Sequence, residues 1–242
     1  MTSVTTGVET ATADDQDHKG NVAARDLLLY ALTFVAGSMD AISFIGLGQV
    51  FTANMTGNTV LMAIAVGSGK FLAASRSVVA LLGFAAGAML AGRMVDPGRH
   101  KILWSKSVTR VLFVEFAIAV VFALAWFFNH GSDNQLDIQG LIVLSALSMG
   151  LQSGAARRLS VSGVSTVVVT SMLTSLMAEL AALGAASPNR VRWTMVFVSL
   201  FAGAAASGVL LVTVRILAPV LPAAVLCLIC IAAIRKFHNS LP

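Results

Sequence analysis

The sequence has few charged side chains for its length. Only 11% of its 242 residues are charged, whereas 57% are hydrophobic; a soluble domain carries about 25% charged residues. So little charge cannot cover the surface of a water-soluble protein of this size, and lipid is the natural environment for the excess apolar residues. The composition therefore predicts a multi-pass α-helical integral membrane protein whose main partner is the lipid bilayer.

Cysteine is scarce, and no metal-binding or catalytic pattern is present. Cys227 and Cys230 are spaced as C-x-x-C inside the apolar run 221–234, where small apolar residues in a lipid-embedded helix are favoured over a redox pair. The sequence has no nucleophile elbow, zinc-protease motif, phosphate-binding loop or dinucleotide fingerprint. We expect no enzyme activity, no metal and no cofactor. The four histidines lie in tails or loops: His18, His100, His130 and His238.

The net charge of +5 does not indicate nucleic-acid binding, because the basic residues stand at the ends of apolar runs. A polar segment, residues 1–26, has no apolar core of the kind a secretory signal needs, and we expect a disordered tail. Residues 27–129 and 139–234 then form two transmembrane halves, and 235–242 form a C-terminal tail. Eight spans are predicted, with seven as the alternative: 27–48, 52–69, 77–94, 108–129, 139–157, 163–184, 193–214 and 217–234. Continuous runs of this length favour helices over barrel strands.

The distribution of Lys and Arg does not orient eight spans, because each side of the membrane receives eight. One side holds Lys19, Arg25, Lys70, Arg76, Arg190, Arg192, Arg235 and Lys236. The other holds Arg93, Arg99, Lys101, Lys106, Arg110, Arg157, Arg158 and Arg215.

An internal repeat relates the two halves at an offset of roughly 113 residues. The stretch 37–41 precedes 56–60 in the first half, and 150–154 precedes 170–174 in the second. A helix rich in small residues follows each pair. Four spans per half would make the halves parallel repeats, whereas an odd number would make them inverted.

The segments 36–44 and 50–60, reading AGSMDAISF and VFTANMTGNTV, closely resemble the signature of the YoaK-like family of bacterial membrane proteins. The segment 149–158, MGLQSGAARR, and the pair Val169-Thr170 resemble it in the second half. The resemblance covers about 25–235 and implies a bacterial inner-membrane protein with two related halves, in a family of unknown function. Such proteins tend to carry Thr-Gly where this chain has Thr170-Ser171, so a more regular sixth helix is expected here.

Three acidic residues fall inside predicted spans, where charge is costly and functional roles are common. Asp40 is a candidate proton-coupled or cation-coordinating carboxylate. The alternative is a structural carboxylate satisfied by Asn54 or Asn58. For Glu115 a structural role is favoured, with Arg110 or a loop residue neutralising it. Glu179 is expected to lie at the membrane interface opposite the side that holds Arg99 and Arg157.

The segment 54–59, NMTGNT, is unusually polar for a span, and Gly57 can open a helix there. A broken helix at a repeat interface is a frequent site for a substrate or ion in transporters. Counting from the predicted span ends places several polar residues at one depth, about 9–12 Å from one face. This predicted polar layer comprises Asp40, Glu115, Asn58, Gln152 and Thr170, and the candidate site adds Asn54, Thr56 and Gly57.

Two functions agree with these features. A small secondary permease would use the polar layer as a site between the halves; a structural or accessory membrane protein would use it to join helices. Arg157 is expected to snorkel at a helix end, with anion binding as the alternative. Gly83 and Gly87 form a G-x-x-x-G face, which indicates packing within the chain first and a homo-oligomer second.

Overall fold

The computed structural model describes residues 3–95, 103–129, 134–159, 169–181 and 188–237; for 3–17 it describes the backbone only. The described residues are helical apart from short connections and contain no strand. The helices are α1 Ser3–Gly46, α2 Met55–Gly67, α3 Phe71–Met94, α4 Lys106–Phe128, α5 Gln135–Arg158, α6 Val169–Ala181, α7 Pro188–Thr213 and α8 Val220–Phe237. A 3₁₀ turn, Arg215–Leu217, precedes α8.

Each predicted span corresponds to one helix, so the prediction of an all-helical bundle is confirmed. Helix α1 begins at Ser3 and so includes the segment for which a disordered tail is predicted. Parts of the predicted sixth span, 163–168 and 182–184, lie outside the described residues. The division into tails and halves stays a prediction.

Polar side chains mark where several helices begin. Asn54, Ser105 and Asn134 precede α2, α4 and α5, and each side chain accepts a hydrogen bond from a backbone N–H of the first turn. Helix α1 ends in a left-handed turn at Gly48, where the N–H of Gln49 donates to the carbonyl of Phe44. These local signals separate one long apolar sequence into discrete helices.

Six of the eight helices are long and apolar enough to cross a membrane, and α2 and α6 are shorter. Contacts at one end of the bundle, which we call the Gly46 face, fix the directions. The end of α1 at Gly46 meets Trp126 near the end of α4, and the Trp126 indole donates to the carbonyl of Arg215, between α7 and α8. Near the start of α3, Arg76 lies against Gly48 and donates to Gln135 at the start of α5.

The opposite end, the Phe237 face, holds the other helix ends. Arg192 near the start of α7 pairs with Asp26 of α1 at 2.9 Å. Trp104, just before α4, stacks on Phe237 at the end of α8 with ring centroids 5.4 Å apart. Helices α1, α4 and α7 therefore run towards the Gly46 face, and α3, α5 and α8 run away from it.

This arrangement corrects the prediction of seven or eight spans. The segment that contains α2 enters from the Gly46 face and returns to it, because α1 ends at that face and α3 begins there. Helix α6 lies in sequence between α5, which ends at the Phe237 face, and α7, which begins there. Helix α2 has 13 residues and extends only about 20 Å, too short to cross a bilayer core of about 30 Å. The described part of α6 also has 13 residues.

With six crossings, the numbers of Lys and Arg residues on the two sides of the membrane are no longer equal. Among the described residues three Lys or Arg lie at the Gly46 face, namely Lys70, Arg76 and Arg215. Eleven lie towards the Phe237 face: Lys19, Arg25, Arg93, Lys106, Arg110, Arg157, Arg158, Arg190, Arg192, Arg235 and Lys236. Because Lys and Arg accumulate in cytoplasmic segments, we expect the Phe237 face to be cytoplasmic.

Labelling of single cysteines with a membrane-impermeant maleimide, in a background lacking Cys227 and Cys230, checks this topology. Cysteines replacing Arg157 and Arg235 should react from the cytoplasmic side, and a cysteine replacing Ser68 from the opposite side. An eight-span topology instead places Ser68 with Arg235 and separates Arg157 from both. Labelling of Ser68→Cys and Arg235→Cys from the same side therefore refutes six crossings.

Candidate functional site

A re-entrant hairpin, residues 47–67, enters the bundle from the Gly46 face. Its first part, 47–54, is not helical, and Asp40 of α1 holds it in place. One carboxylate oxygen, Oδ1, accepts hydrogen bonds from the N–H groups of Thr52 at 2.8 Å and Ala53 at 2.7 Å. Because Asp40 lies six residues before Gly46, these bonds lie about 9 Å inside the end of α1.

Asn58 holds the same segment from the other side. Its Oδ1 accepts from the N–H of Phe51 at 2.9 Å, and its Nδ2 donates to the carbonyl of Phe51 at 2.6 Å. Asn58 is fully buried, and the Phe51 ring stacks on Phe44 of α1 with centroids 4.9 Å apart. Backbone groups that a continuous helix would satisfy itself are therefore satisfied by two side chains.

The first turn of α2 presents polar groups at this depth. Asn54 accepts the N–H of Gly57 at 3.1 Å, and the side chains of Asn54 and Thr56 are exposed. A side chain at Gly57 would press against the Phe51 ring and the Asn54 amide. A helix N-terminus carries partial positive charge, so this exposed turn favours an anionic or strongly polar group.

The hairpin is joined to α5 by hydroxyl groups that sequence reasoning missed. Ser145 donates to the Thr52 hydroxyl at 2.9 Å, and Ser43 of α1 lies 3.4 Å from the same oxygen. On α5, Ser145, Ser148 and Gln152 are all buried and spaced i, i+3 and i+7 along one side. That spacing was the available signal, because single serines in apolar helices carry little information.

The structure does not bring the predicted polar layer to one depth. Gln152 donates through Nε2 to the carbonyl of Leu32 at 2.9 Å, six residues before the end of α5 at the Phe237 face. Thr170 is exposed in the first turn of α6, the short helix associated with that same face. Asp40, Asn54, Thr56, Gly57 and Asn58 form one group near the Gly46 face, and Gln152 and Thr170 belong to the other half of the bundle.

Glu115 is fully buried on α4, and neither carboxylate oxygen has a hydrogen-bond partner among the described residues. Arg110 is exposed and makes no hydrogen bond to Glu115. The other predicted partner, a residue of the loop near Arg99, lies outside the described residues. The hydroxyl of Ser148 and the carbonyl oxygen of Gln152 are also buried without a partner there. This second buried polar feature contrasts with Asp40, whose carboxylate is hydrogen-bonded.

The remaining candidates lie in surroundings common for their residue types. Glu179 pairs with Arg190 at 3.6 Å and is partly exposed, as an interfacial carboxylate would be. It lies at the Phe237 face with Arg157, however, and not at the face opposite Arg157 as predicted. Arg157 is exposed in the last turn of α5, which agrees with a snorkelling side chain. Cys227 and Cys230 are free thiols. In the described part of the chain no group of three or more His, Cys, Asp or Glu could hold a metal ion.

Gly83 and Gly87 of α3 pack against α5, as the G-x-x-x-G pattern predicts for packing within the chain. A Cβ on Gly87 would overlap the carbonyl of Leu147, and one on Gly150 would overlap that of Phe84. These contacts bring the backbones of two parallel helices together.

Taken together, six apolar crossing helices and a re-entrant hairpin define a multi-pass α-helical transmembrane protein. Residues 28–233 match the family described as "Protein of unknown function (DUF1275)", and the chain belongs to that family. It is 39% identical over 158 residues to the UPF0700 transmembrane protein YoaK of Bacillus subtilis (strain 168), covering 65% of this chain and 68% of the relative. No solved structure matches.

Proposed function

We propose that this protein is a small secondary permease that moves a polar solute or ion across the bacterial inner membrane. The observation that carries the proposal is the re-entrant hairpin, in which Asp40 and Asn58 hold non-helical backbone about 9 Å inside the bundle. Non-helical backbone at membrane depth occurs where it is buried in protein or lines an aqueous cavity. The exposed Asn54 and Thr56 beside it would be the first groups to meet a solute.

The order of the helices in the two halves supports the same proposal. In each half, one crossing helix is followed by a helix with 13 described residues and then by two crossing helices; three crossings per half would give the halves opposite orientation. Many transporters have this design, with broken helices at the repeat interface.

The contacts between helices repeat as well. Gly37 of α1 meets the carbonyl of Leu200 on α7, and Gly203 of α7 meets that of Phe34 on α1. The pair Gly87 and Gly150 makes the same reciprocal contact between α3 and α5. Each interface joins the first helix of one half to the third element of the other, as a two-fold relation between the halves requires.

A structural or accessory role is the second candidate, and one observation favours it. The hydrogen bonds of Asp40 Oδ1 and of the Asn58 amide go to backbone groups of the hairpin itself, so both side chains already have a structural task. A purely structural hairpin would be dry and would not respond to solutes. The same chain could also associate with copies of itself through its lipid-facing helices.

Water accessibility separates the two candidates. Single cysteines at Asn54 and Thr56 should react with a small impermeant thiol reagent from the Gly46 face, and a transported solute should slow the reaction. Cysteine at Ile64, exposed on the apolar part of α2, is the matched control and should be insensitive to solutes. Unreactive Asn54→Cys and Thr56→Cys in folded protein, together with no flux in proteoliposomes for a broad solute panel, reject the permease.

A further inference from the structure

The half of the bundle nearest the Phe237 face contains four buried oxygen atoms that have no hydrogen-bond partner among the described residues. They are both carboxylate oxygens of Glu115, the hydroxyl oxygen of Ser148 and Oε1 of Gln152. Glu115 and Ser148 are 0% exposed, and Gln152 is 5% exposed. Leaving such groups without a partner is costly, most of all for a carboxylate, so they indicate an occupant that satisfies them.

The four atoms belong to neighbouring helices at similar depth. Glu115 lies nine residues after Lys106, about 13 Å from the start of α4. Ser148 and Gln152 lie ten and six residues before Arg158, about 15 and 9 Å from the end of α5. Both of these helix ends are at the Phe237 face, and α4 and α5 pack against each other within one core.

The side chains are also fixed in direction. Ser148 and Gln152 are four residues apart, so they lie on the same side of α5. Because Nε2 of Gln152 donates to the carbonyl of Leu32, the side-chain amide is fixed and Oε1 of Gln152 points away from Leu32. From α8, which also packs against α4, the Cys230 thiol is close enough to Glu115 to interact with its charge.

The chemistry of these groups identifies the kind of ligand. The carboxylate and the amide oxygen can only accept hydrogen bonds, and the hydroxyl oxygen can ligate a metal through its lone pairs. Oxygen ligands suit hard cations, and a single carboxylate balances a single positive charge. We propose that Glu115, Ser148 and Gln152 bind a small monovalent cation of the sodium class. Binding is measurable without transport, so the site goes beyond the proposed permease function.

Thermal unfolding of the purified full-length protein in detergent tests the site, with NaCl compared against choline chloride at equal ionic strength and pH. Sodium at about ten times its Kd should raise Tm by roughly 3–6 °C. Glu115→Gln should lose this rise, and Ser148→Ala should reduce it. Glu179→Gln, which removes a partly exposed carboxylate outside the site, should keep it.

Three outcomes overturn the proposal: no sodium-specific rise in the unaltered protein, an undiminished rise in Glu115→Gln, or a Tm that responds to pH but not to sodium. The last would make Glu115 a proton carrier. If Glu115→Gln does not fold, an undiminished rise in Ser148→Ala overturns it alone. Sodium binding in a protein that fails both the labelling test and the flux test above would reject only the permease.

Discussion

Replacing Asp40 with alanine should lower the free energy of unfolding by about 3–5 kcal/mol, because hydrogen bonds to a charged group contribute about 1.5–3 kcal/mol each. The alanine would leave the N–H groups of Thr52 and Ala53 without an acceptor, and both residues are almost completely buried. Equilibrium unfolding in detergent measures the effect. The same change should expose the hairpin, so a cysteine replacing Ala53 should react faster with a thiol reagent.

Two variants control this experiment. In Asp40→Asn the amide oxygen can still accept both N–H groups but without the charge, so about half the loss is expected. Glu179→Gln breaks a partly exposed ion pair at 3.6 Å and should cost at most about 1 kcal/mol. If Asp40→Ala costs no more than Glu179→Gln, the carboxylate does not hold the hairpin.

The helices themselves could be predicted well from the sequence, because a run of apolar residues bounded by polar caps is a local signal. Whether a helix crosses the membrane depends on contacts between distant residues. The predicted span 52–69 is apolar enough to cross, but Asp40 and Asn58 bind backbone at its start and leave only 13 helical residues. The sequence contained one sign of this: eight spans divide the basic residues evenly, which is unusual for a membrane protein.

Only the part of the candidate site that is local in sequence could be predicted. Asp40, Asn54 and Asn58 are close in sequence, and the structure brings them together. Gln152 was assigned to the same layer only because eight predicted spans made α1 and α5 run in the same direction. With six crossings, α1 and α5 run in opposite directions, so equivalent positions in the two halves lie near opposite faces. The prediction that the halves are related repeats remains to be tested.

Replacing the paired glycines with alanine should lower the free energy of unfolding, whereas the same change at a glycine five residues further along the same helix should not. Gly87 of α3 and Gly203 of α7 touch backbone carbonyls of a neighbouring helix, whereas Gly92 and Gly208 have nothing within 4 Å of an added Cβ. Gly87→Ala and Gly203→Ala must push two helices apart and should each cost about 1–3 kcal/mol. Gly92→Ala and Gly208→Ala should be neutral or stabilise by up to about 1 kcal/mol, since alanine favours the helix.

Unfolding of the four variants in one detergent measures the contrast, and each helix supplies its own control. A two-fold relation between the halves predicts in addition that Gly87→Ala and Gly203→Ala lose similar stability, because each removes one side of an equivalent reciprocal contact. Equal stability of Gly87→Ala and Gly92→Ala would show that α3 and α5 are not in backbone contact. A large loss at Gly87 with none at Gly203 would instead leave the α3–α5 interface intact and remove the argument for an inverted repeat.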